Sequence, residues 1–260
     1  MNRRSSPVSL RLIMTAMNAA VYAGIGALWT VFPLLIFGVR FWPQVFVPAT
    51  FSVLFGPWVG GVGAAIGIFI ADVIYGHHDA LLSLLVGVPS NFIGFFVVGW
   101  LTKHEFRGLT RRLLVSMSLI IQPVYALGLA YGLYVLFGPG ALGSPTSYMG
   151  LVGLIVVFFV IVLIVVRNRW ANFEVAASIG LALGTLIIGV GLVAYSAIFG
   201  LPVILGLGTT PLAGAFVYLA AASNYFTEIP FMVILTPPIA AACRAAFPSL
   251  RGMEEPLQHS

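Results

Sequence analysis

The sequence is poor in charge: its 260 residues carry 12 basic and 7 acidic side chains, so that only 7% of the chain is charged. A soluble domain carries about 25% charged residues, because it needs them to cover its surface. Hydrophobic residues make up 60% of the chain, and the mean hydropathy is +1.09. These values exclude a water-soluble enzyme and predict an integral membrane protein that crosses the bilayer several times.

Cysteine and lysine are each present once, as Cys243 and Lys103. A single cysteine excludes an internal disulfide and any metal site built from several cysteines. The lysine stands without the glycines of the sequence Gly-x-x-x-x-Gly-Lys-Ser/Thr, in which a phosphate-binding loop holds ATP. The chain therefore has no ATP-binding loop of that kind.

Common catalytic and metal-binding motifs are also missing. There is no Gly-x-Ser-x-Gly elbow and no His-Glu-x-x-His pair, so we expect neither catalysis nor a cofactor. His77 and His78 precede Asp79, but adjacent histidines point in different directions and no third ligand is identifiable, which favours a solvated loop over a metal site. The basic residues flank apolar segments instead of forming one patch, which argues against nucleic acid and for charge at a membrane surface.

What the sequence has instead is long apolar runs, at 12–37, 43–56, 57–75, 80–101, 113–137, 150–166, 173–197 and 211–246. A membrane-spanning helix needs about 20 residues. The runs predict an all-α bundle of about eight transmembrane segments in a single domain, 1–260. The short run 43–56 forms either a span or one half of a re-entrant pair with 57–75. Because 211–246 is too long for one span, we expect a break at Asn224–Pro230, with a short segment 211–223 before a last span from about Glu228.

The basic residues predict the orientation of this bundle. If the N-terminus is cytoplasmic, eleven of the twelve basic residues fall on the inner side and only Arg40 falls on the outer side. Cytoplasmic segments of membrane proteins carry an excess of Lys and Arg. The sequence therefore predicts that both termini are inside.

Polar and aromatic residues near the predicted outer ends are candidates for a binding site. Carboxyl groups such as Asp72 and Glu228 are costly in a membrane unless they are paired or face water, so each is a functional candidate. For Asp72 the alternative is a hydrogen bond in the headgroup zone, and for the aromatics it is the interfacial belt. We expect an outward-facing cavity for a small polar or aromatic molecule. The predicted substrate-binding residues are Arg40, Trp42, Gln44, Asp72, Tyr75, His78, Asn91, Tyr148, Asn224, Tyr225 and Glu228.

Small residues recur at helical spacing in two runs. Gly56, Gly60, Gly63, Gly67 and Ala71 form one strip, for which close packing inside the bundle is the favoured interpretation. The first span carries a second strip of alanines and glycine, suited to a close helix contact within the chain or with another protein.

These features together resemble the substrate-binding S components of energy-coupling factor (ECF) transporters. The resemblance covers roughly 12–104 and 226–247. It is carried by the alanine-lined first helix, the outer stretch Arg40–Ala49, the run Leu54–Gly67 leading to Ala71-Asp72, the segment Pro89–Gly94, and the last span from Glu228 through Pro237-Pro238 to Arg244.

The resemblance implies a membrane subunit that captures a vitamin or similar small nutrient from outside. Such subunits dock through their first helix onto a transmembrane coupling protein, and partner ATPases supply the energy. Carried over to this chain, the docking residues are Ala16, Ala20 and Ala23. Family members usually have six spans, so the segment 150–197 is expected as an extra hairpin.

Two other functions remain open from the sequence, besides a membrane enzyme, for which no motif argues. One is a stand-alone proton-coupled secondary transporter that uses Asp72 or Glu228 as a proton relay. The other is a membrane sensor module that transports nothing. In each case we expect the lipid bilayer to surround the chain and a small molecule to be its ligand.

Overall fold

The computed structural model describes residues 8–28, 35–36, 39–75, 80–104, 106–138, 140, 143–166, 170–199 and 210–247. Within these ranges the chain forms eight helices and one two-stranded hairpin. In chain order the elements are α1 (Val8–Leu28), β1 (Leu35–Ile36), β2 (Val39–Arg40), a 3₁₀ turn (Pro43–Val45), α2 (Phe46–Phe55), α3 (Pro57–Tyr75), α4 (Ala80–Lys103), α5 (Gly108–Phe137), α6 (Pro145–Val166), α7 (Ala171–Phe199) and α8 (Thr210–Ala246).

Six of the helices in the described ranges, α1, α3, α4, α5, α7 and α8, are long and apolar enough to cross a membrane. Their outer faces carry large apolar side chains, such as the exposed Ile120, Val124 and Leu127 of α5. Soluble proteins rarely expose apolar surface this extensive, because its contact with water is unfavourable. The chain is therefore a multi-pass helical membrane protein. The sequence predicted about eight spans, but α2 has only 10 residues and the described side chains of α6 contribute only the shorter apolar stretch Thr146–Ile155.

The helices pack in an order that differs from their order in the chain. α1 packs on α3, α3 on α4, α4 on α7, α7 on α8, α8 on α5, and α5 on α6, while α2 lies among α1, α3, α4 and α8. The segment 150–197, expected as an extra hairpin, comprises most of α6 and α7. These two helices contact each other little, and α7 packs between α4 and α8 in the body of the bundle.

Glycines set the close approach of α1, α2 and α4 to α3. A Cβ atom on Gly63 would lie 2.7 Å from the Asn18 Cβ, and one on Gly67 would lie 2.9 Å from the Ala19 carbonyl oxygen. Asn18 uses this proximity, since its Nδ2 donates hydrogen bonds to the carbonyl oxygens of Val59 (3.0 Å) and Gly60 (3.2 Å). The glycine strip of α3 therefore serves internal packing, as predicted.

Proline shapes the start of α4. Pro89 has no N–H to donate to the carbonyl four residues earlier, so a regular helical bond is missing at this point. A π-helical turn at Ser83–Gly87 lies at this point and ends two residues before the proline. π-turns inside helices often occur at functional sites, and this one brings Ser83 next to α3.

Two boundaries differ from the sequence-based expectation. The first apolar run was predicted as a helix over 12–37, but α1 ends at Leu28 and residues 35–40 include the hairpin β1–β2. The predicted break at Asn224–Pro230 is wrong, because α8 continues as one helix of 37 residues with Pro230, Pro237 and Pro238 inside it. Buried residues on both sides of Pro230, among them Tyr225, Ile229 and Met232, hold the helix through the segment. Neighbouring helices commonly allow prolines within membrane helices in this way.

Candidate functional site

The non-helical segment between β2 and α2 carries two of the predicted site residues into the protein interior. Trp42 and Gln44 are both buried although they lie on a 3₁₀ turn and its entry. They lie against α1 at Gly26, where a Cβ would meet the Trp42 ring at 2.9 Å and the Gln44 Nε2 at 3.1 Å. Glycine at position 26 is thus what lets this segment lie close to the first helix.

Tyr22 of α1 connects the predicted site residues. Its ring meets the Trp42 ring edge-on at 6.2 Å and the Phe95 ring at 6.3 Å, both between ring centroids. Its hydroxyl donates a 2.8 Å hydrogen bond to the Oδ1 of Asn91. The Asn91 Nδ2 in turn donates to the Gly87 carbonyl at 3.0 Å, in the π-turn of α4. Tyr22 therefore links α1, the 3₁₀ segment and α4.

Asp72 approaches the same region from α3. Its carboxyl accepts a 2.7 Å hydrogen bond from the Ser83 hydroxyl, and a Cβ on Gly87 would lie 3.1 Å from the same carboxyl oxygen. The π-turn thus supplies a hydrogen-bond donor to the Asp72 carboxyl, and glycine at position 87 lets the turn lie close to it.

Glu228 and Asn224 bring α8 to the site. Spaced four residues apart, they share one helix face, and both are buried. The Glu228 and Asp72 carboxyls both lie close enough to the Tyr22 hydroxyl to act on it electrostatically. The effect of Glu228 is the larger of the two. Phe231, one turn further, packs its ring edge-on against Phe41 at 5.7 Å, which places this face of α8 against the chain that carries Gln44.

We call this arrangement the central site, defined by Tyr22, Trp42, Gln44, Asp72, Asn91, Asn224 and Glu228. Several of its polar groups have no partner among the described residues. Both the Nε2 and Oε1 of Gln44 lack a hydrogen bond, as does the Nδ2 of Asn224. The Glu228 carboxyl makes no hydrogen bond or ion pair with the described residues. Since buried polar groups are almost always hydrogen-bonded, these unpaired groups make the central site the candidate binding site.

Tyr225, also predicted for the site, points to a different cluster. Its hydroxyl hydrogen-bonds with the Nε2 of Gln122 (2.7 Å) and the Oγ of Ser178 (2.8 Å), which joins α8 to α5 and α7. Close by, the Tyr125 hydroxyl donates to the Ala182 carbonyl at 2.5 Å. We call Gln122, Ser178 and Tyr225 the inner triad. The described bonds of the triad are internal, and the Gln122 Oε1 is its one atom without a partner among the described residues, so the triad favours a structural role.

The inner triad gives a stability prediction. Tyr225→Phe removes one buried hydroxyl, while Gln122 keeps its bonds to Ser178 (2.9 Å) and to the Ser118 carbonyl (3.1 Å). We expect a loss of about 1 kcal/mol in the free energy of unfolding, measured by chemical denaturation in detergent. Tyr218→Phe is the control, because Tyr218 lies on the same helix with 52% of its surface exposed. Equal effects of the two substitutions would contradict the role given to the triad.

Besides Tyr225, four of the predicted binding residues are not seen at the central site. Tyr148 lies on α6, where its hydroxyl donates to the Gly138 carbonyl at 3.0 Å and its ring meets Tyr134. It packs in a separate apolar cluster with Leu133 and Leu219, so the structure places it in packing between helices. The side chains of Arg40 and Tyr75, and the whole of His78, lie outside the described residues.

The predicted docking residues of α1 divide into two groups. Ala16 and Ala20 are exposed, and Gly24 continues their line with no atom within 4 Å of an added Cβ. Ala23 is buried at 4% exposure and belongs to the main apolar core. The expectation that Ala23 lies on a free docking face is therefore wrong, because this position turns toward the bundle.

Tyr22 and Glu174 are two of the buried residues with polar groups that were missed from the sequence. Tyr22 was identifiable, because Asn18, Tyr22 and Gly26 follow at four-residue spacing on one face of α1. Glu174 sits in the first turn of α7 and reads in the sequence as an ordinary helix-start residue, yet it is wholly buried and neither carboxyl oxygen has a partner among the described residues.

The described residues include no group of three His, Cys, Asp or Glu side chains placed to hold a metal ion. A small cavity of about 20 Å³ lies near the start of α7, lined by apolar residues with Arg111 and Asn172. It has room for about one water molecule and is separate from the central site.

No protein family model, curated protein or solved structure matches this chain.

Proposed function

We propose that this chain is the substrate-binding subunit of an ECF-type importer in the cell membrane, which takes up a vitamin or similar small nutrient while partner subunits hydrolyse ATP. One observation carries the binding role: the Gln44 amide is fully buried and has a hydrogen-bond partner at neither end among the described residues. An unsatisfied buried amide costs about 1–3 kcal/mol. A bound molecule with a donor and an acceptor would remove that cost.

The surroundings of Gln44 also suit small-molecule binding. α1, α3, α4 and α8, together with the 3₁₀ segment, each contribute at least one polar side chain to the central site. Binding sites in helical membrane proteins are commonly formed between several helices, with a few polar groups in apolar surroundings. Asn91, Tyr22 and Trp42 would orient the molecule, and Asn224 and Glu228 would bind it from α8.

The proposal places both termini inside the cell. The described basic side chains stand at the beginnings of α1 and α5 and at the ends of α4 and α8: Arg11, Lys103, Arg107, Arg111, Arg112 and Arg244. In an up-and-down bundle these four helix ends fall on one side, which the positive-inside rule makes cytoplasmic. Gly56, with φ of 98°, turns the chain from α2 into α3 on that same side, where the Lys103 ammonium donates to the Leu54 carbonyl at 3.3 Å.

The exposed strip Ala16–Ala20–Gly24 is the proposed contact with the coupling protein, since small residues let helices approach closely. We expect Ala16→Leu combined with Ala20→Leu to lower uptake at least about tenfold and to leave substrate binding unchanged, because both side chains point away from the central site. Ala194→Leu is the control, as Ala194 is an exposed alanine on α7.

The experiment is uptake of a panel of radiolabelled vitamins into proteoliposomes that hold the chain with or without the coupling protein and the ATPases. The proposal expects uptake of one panel member only when the partners and ATP are present. Uptake that never depends on the partners would overturn it.

A stand-alone proton-coupled transporter is the second candidate, and Glu174 favours it. A carboxyl group buried in a membrane bundle without a partner is a functional candidate by default, and both Glu174 oxygens meet that description among the described residues. This candidate expects uptake without partners that collapses with the proton gradient and in Glu174→Gln. Partner-dependent uptake that survives Glu174→Gln would exclude it.

A further inference from the structure

The central site differs from an anion site in the charges it presents. It holds two buried carboxyl groups, Asp72 and Glu228, carried by different helices. The six basic side chains that the structure describes all stand at helix ends, away from the face of α8 that carries Glu228. Counted over the described side chains, which do not include that of Arg40, a bound anion would meet like charge from α3 and α8, whereas a cation would meet opposite charge.

The two carboxyl groups are not equivalent. Asp72 is partnered, because it accepts a 2.7 Å hydrogen bond from the Ser83 hydroxyl. Glu228 is more than nine-tenths buried and makes no hydrogen bond or ion pair with the described residues. Leaving a buried carboxylate without an opposite charge is costly, so Glu228 is the group that a ligand would most gain by satisfying.

The Tyr22 ring meets the Trp42 and Phe95 rings edge-on, at 6.2 Å and 6.3 Å between centroids. The Glu228 charge acts on the hydroxyl of the same tyrosine. Aromatic faces attract organic cations, and rings combined with a carboxylate are a frequent recognition set for substituted ammonium groups. A bare metal ion prefers several oxygen ligands, and the described residues offer no cluster of three acidic, His or Cys side chains.

We propose that the substrate of the central site is an organic cation, whose positively charged nitrogen binds next to the Glu228 carboxylate and against the rings of Tyr22 and Trp42. The inference rests on the proposed binding function and adds the chemical class of the substrate. The Gln44 amide, with a free donor and a free acceptor, would bind a neutral polar part of the same molecule.

The test uses the full-length chain in lipid nanodiscs and matched probes that differ in charge. The probes are 1-methylnicotinamide, nicotinamide and nicotinate, benzylamine, benzyl alcohol and benzoate, and choline with its neutral analogue 3,3-dimethylbutanol. Binding is measured as ligand-induced stabilisation against thermal unfolding. We expect cationic members to bind at least about tenfold more tightly than their neutral and anionic partners.

The variant Glu228→Gln keeps the size of the side chain and removes its charge. We expect cation affinity to fall about tenfold to a hundredfold, the range for losing a charged hydrogen-bond partner, while the affinity of neutral probes changes little. Tyr225→Phe is the control, because it removes a buried polar group of the inner triad on the same helix, and we expect it to keep the preference for cations.

Three other results would overturn the inference, and each would point to a different conclusion. If neutral or anionic probes bind as tightly as cationic ones, the chain is still a binding protein but its substrate is not an organic cation. Stabilisation by sodium alone, lost in Glu228→Gln, would assign an inorganic cation. Binding of no probe to the wild-type chain would remove the cation proposal, and a vitamin panel that also fails to bind would remove the binding function itself.

Discussion

Gln44→Leu is expected to make the ligand-free protein more stable and at the same time to abolish substrate binding. The wild-type amide is 0% exposed, and both of its polar atoms lack partners among the described residues. Leucine is similar in volume and carries no polar atom, so the substitution removes a desolvation cost of about 1–3 kcal/mol. The gain is measured as the free energy of unfolding in detergent.

Binding should change in the opposite direction. If Gln44 contacts the substrate through both ends of its amide, the leucine variant loses two hydrogen bonds and affinity falls at least about tenfold. A residue kept for structural reasons would show the reverse pattern, with lower stability and little change in binding. Higher stability together with weaker binding is the combination that identifies Gln44 as a binding residue that lowers the stability of the ligand-free protein.

Gln122→Leu is the matched control for this prediction. Gln122 is also a buried glutamine, and its Oε1 lacks a partner among the described residues. Its Nε2, however, lies within hydrogen-bonding distance of the Tyr225 and Ser178 hydroxyls and the Ser118 carbonyl, two of which its two hydrogens can serve at a time. Leucine at this position leaves the Tyr225 and Ser178 hydroxyls with fewer partners, so we expect a loss of stability. Stabilisation by both substitutions, or by neither, would contradict the contrast between the central site and the inner triad.

Gly60→Leu is expected to have the largest effect on folding, with at least about 3 kcal/mol lost and little folded protein recovered from membranes. An added Cβ at Gly60 would lie 2.8 Å from the Ser52 Cα, so the clash is with the backbone of α2 and no side-chain rotation relieves it. Ser52 also donates a 2.9 Å hydrogen bond to the Phe95 carbonyl, which joins α2 to α4. Moving α2 away from α3 therefore disturbs three helices.

The same substitution at an uncrowded glycine should be harmless. Gly153 of α6 has no atom within 4 Å of an added Cβ, so Gly153→Leu is the control. Monodisperse yield from size-exclusion chromatography and the midpoint of thermal unfolding measure the difference. Wild-type yield and stability of Gly60→Leu would show that α2 does not pack on α3 as described.

Hydrophobic runs predicted most of the helices, because a membrane segment must be continuously apolar and of nearly fixed length. That rule failed at two positions. It extended the first helix past Leu28 into the apolar hairpin region, because hydropathy does not distinguish a helix from other buried structure. It also broke α8 at Pro230, because the packing that sustains a proline-containing helix depends on partners far away in the sequence.

The binding residues were only partly predictable for a related reason. Polar residues inside apolar runs identified Gln44, Asp72, Asn91 and Glu228, since each is costly in a membrane. The direction of each side chain depends on how the helices pack, and this separates Tyr225 from Glu228 although they are three residues apart. The unpaired state of Gln44, which carries the functional proposal, is a property of the folded structure alone.

The most direct measurement is ligand-dependent thermal unfolding of the purified chain and of Gln44→Leu, titrated in parallel with the vitamin panel and the charge-matched probes. A ligand that binds only the folded protein stabilises it by about 2.7 kcal/mol at one hundred times its dissociation constant. The account predicts such stabilisation of the wild-type chain by one class of small molecule, and none of Gln44→Leu at the same concentration. A ligand that stabilises both proteins equally, or a wild-type chain that no compound stabilises, would contradict the central site as a binding site.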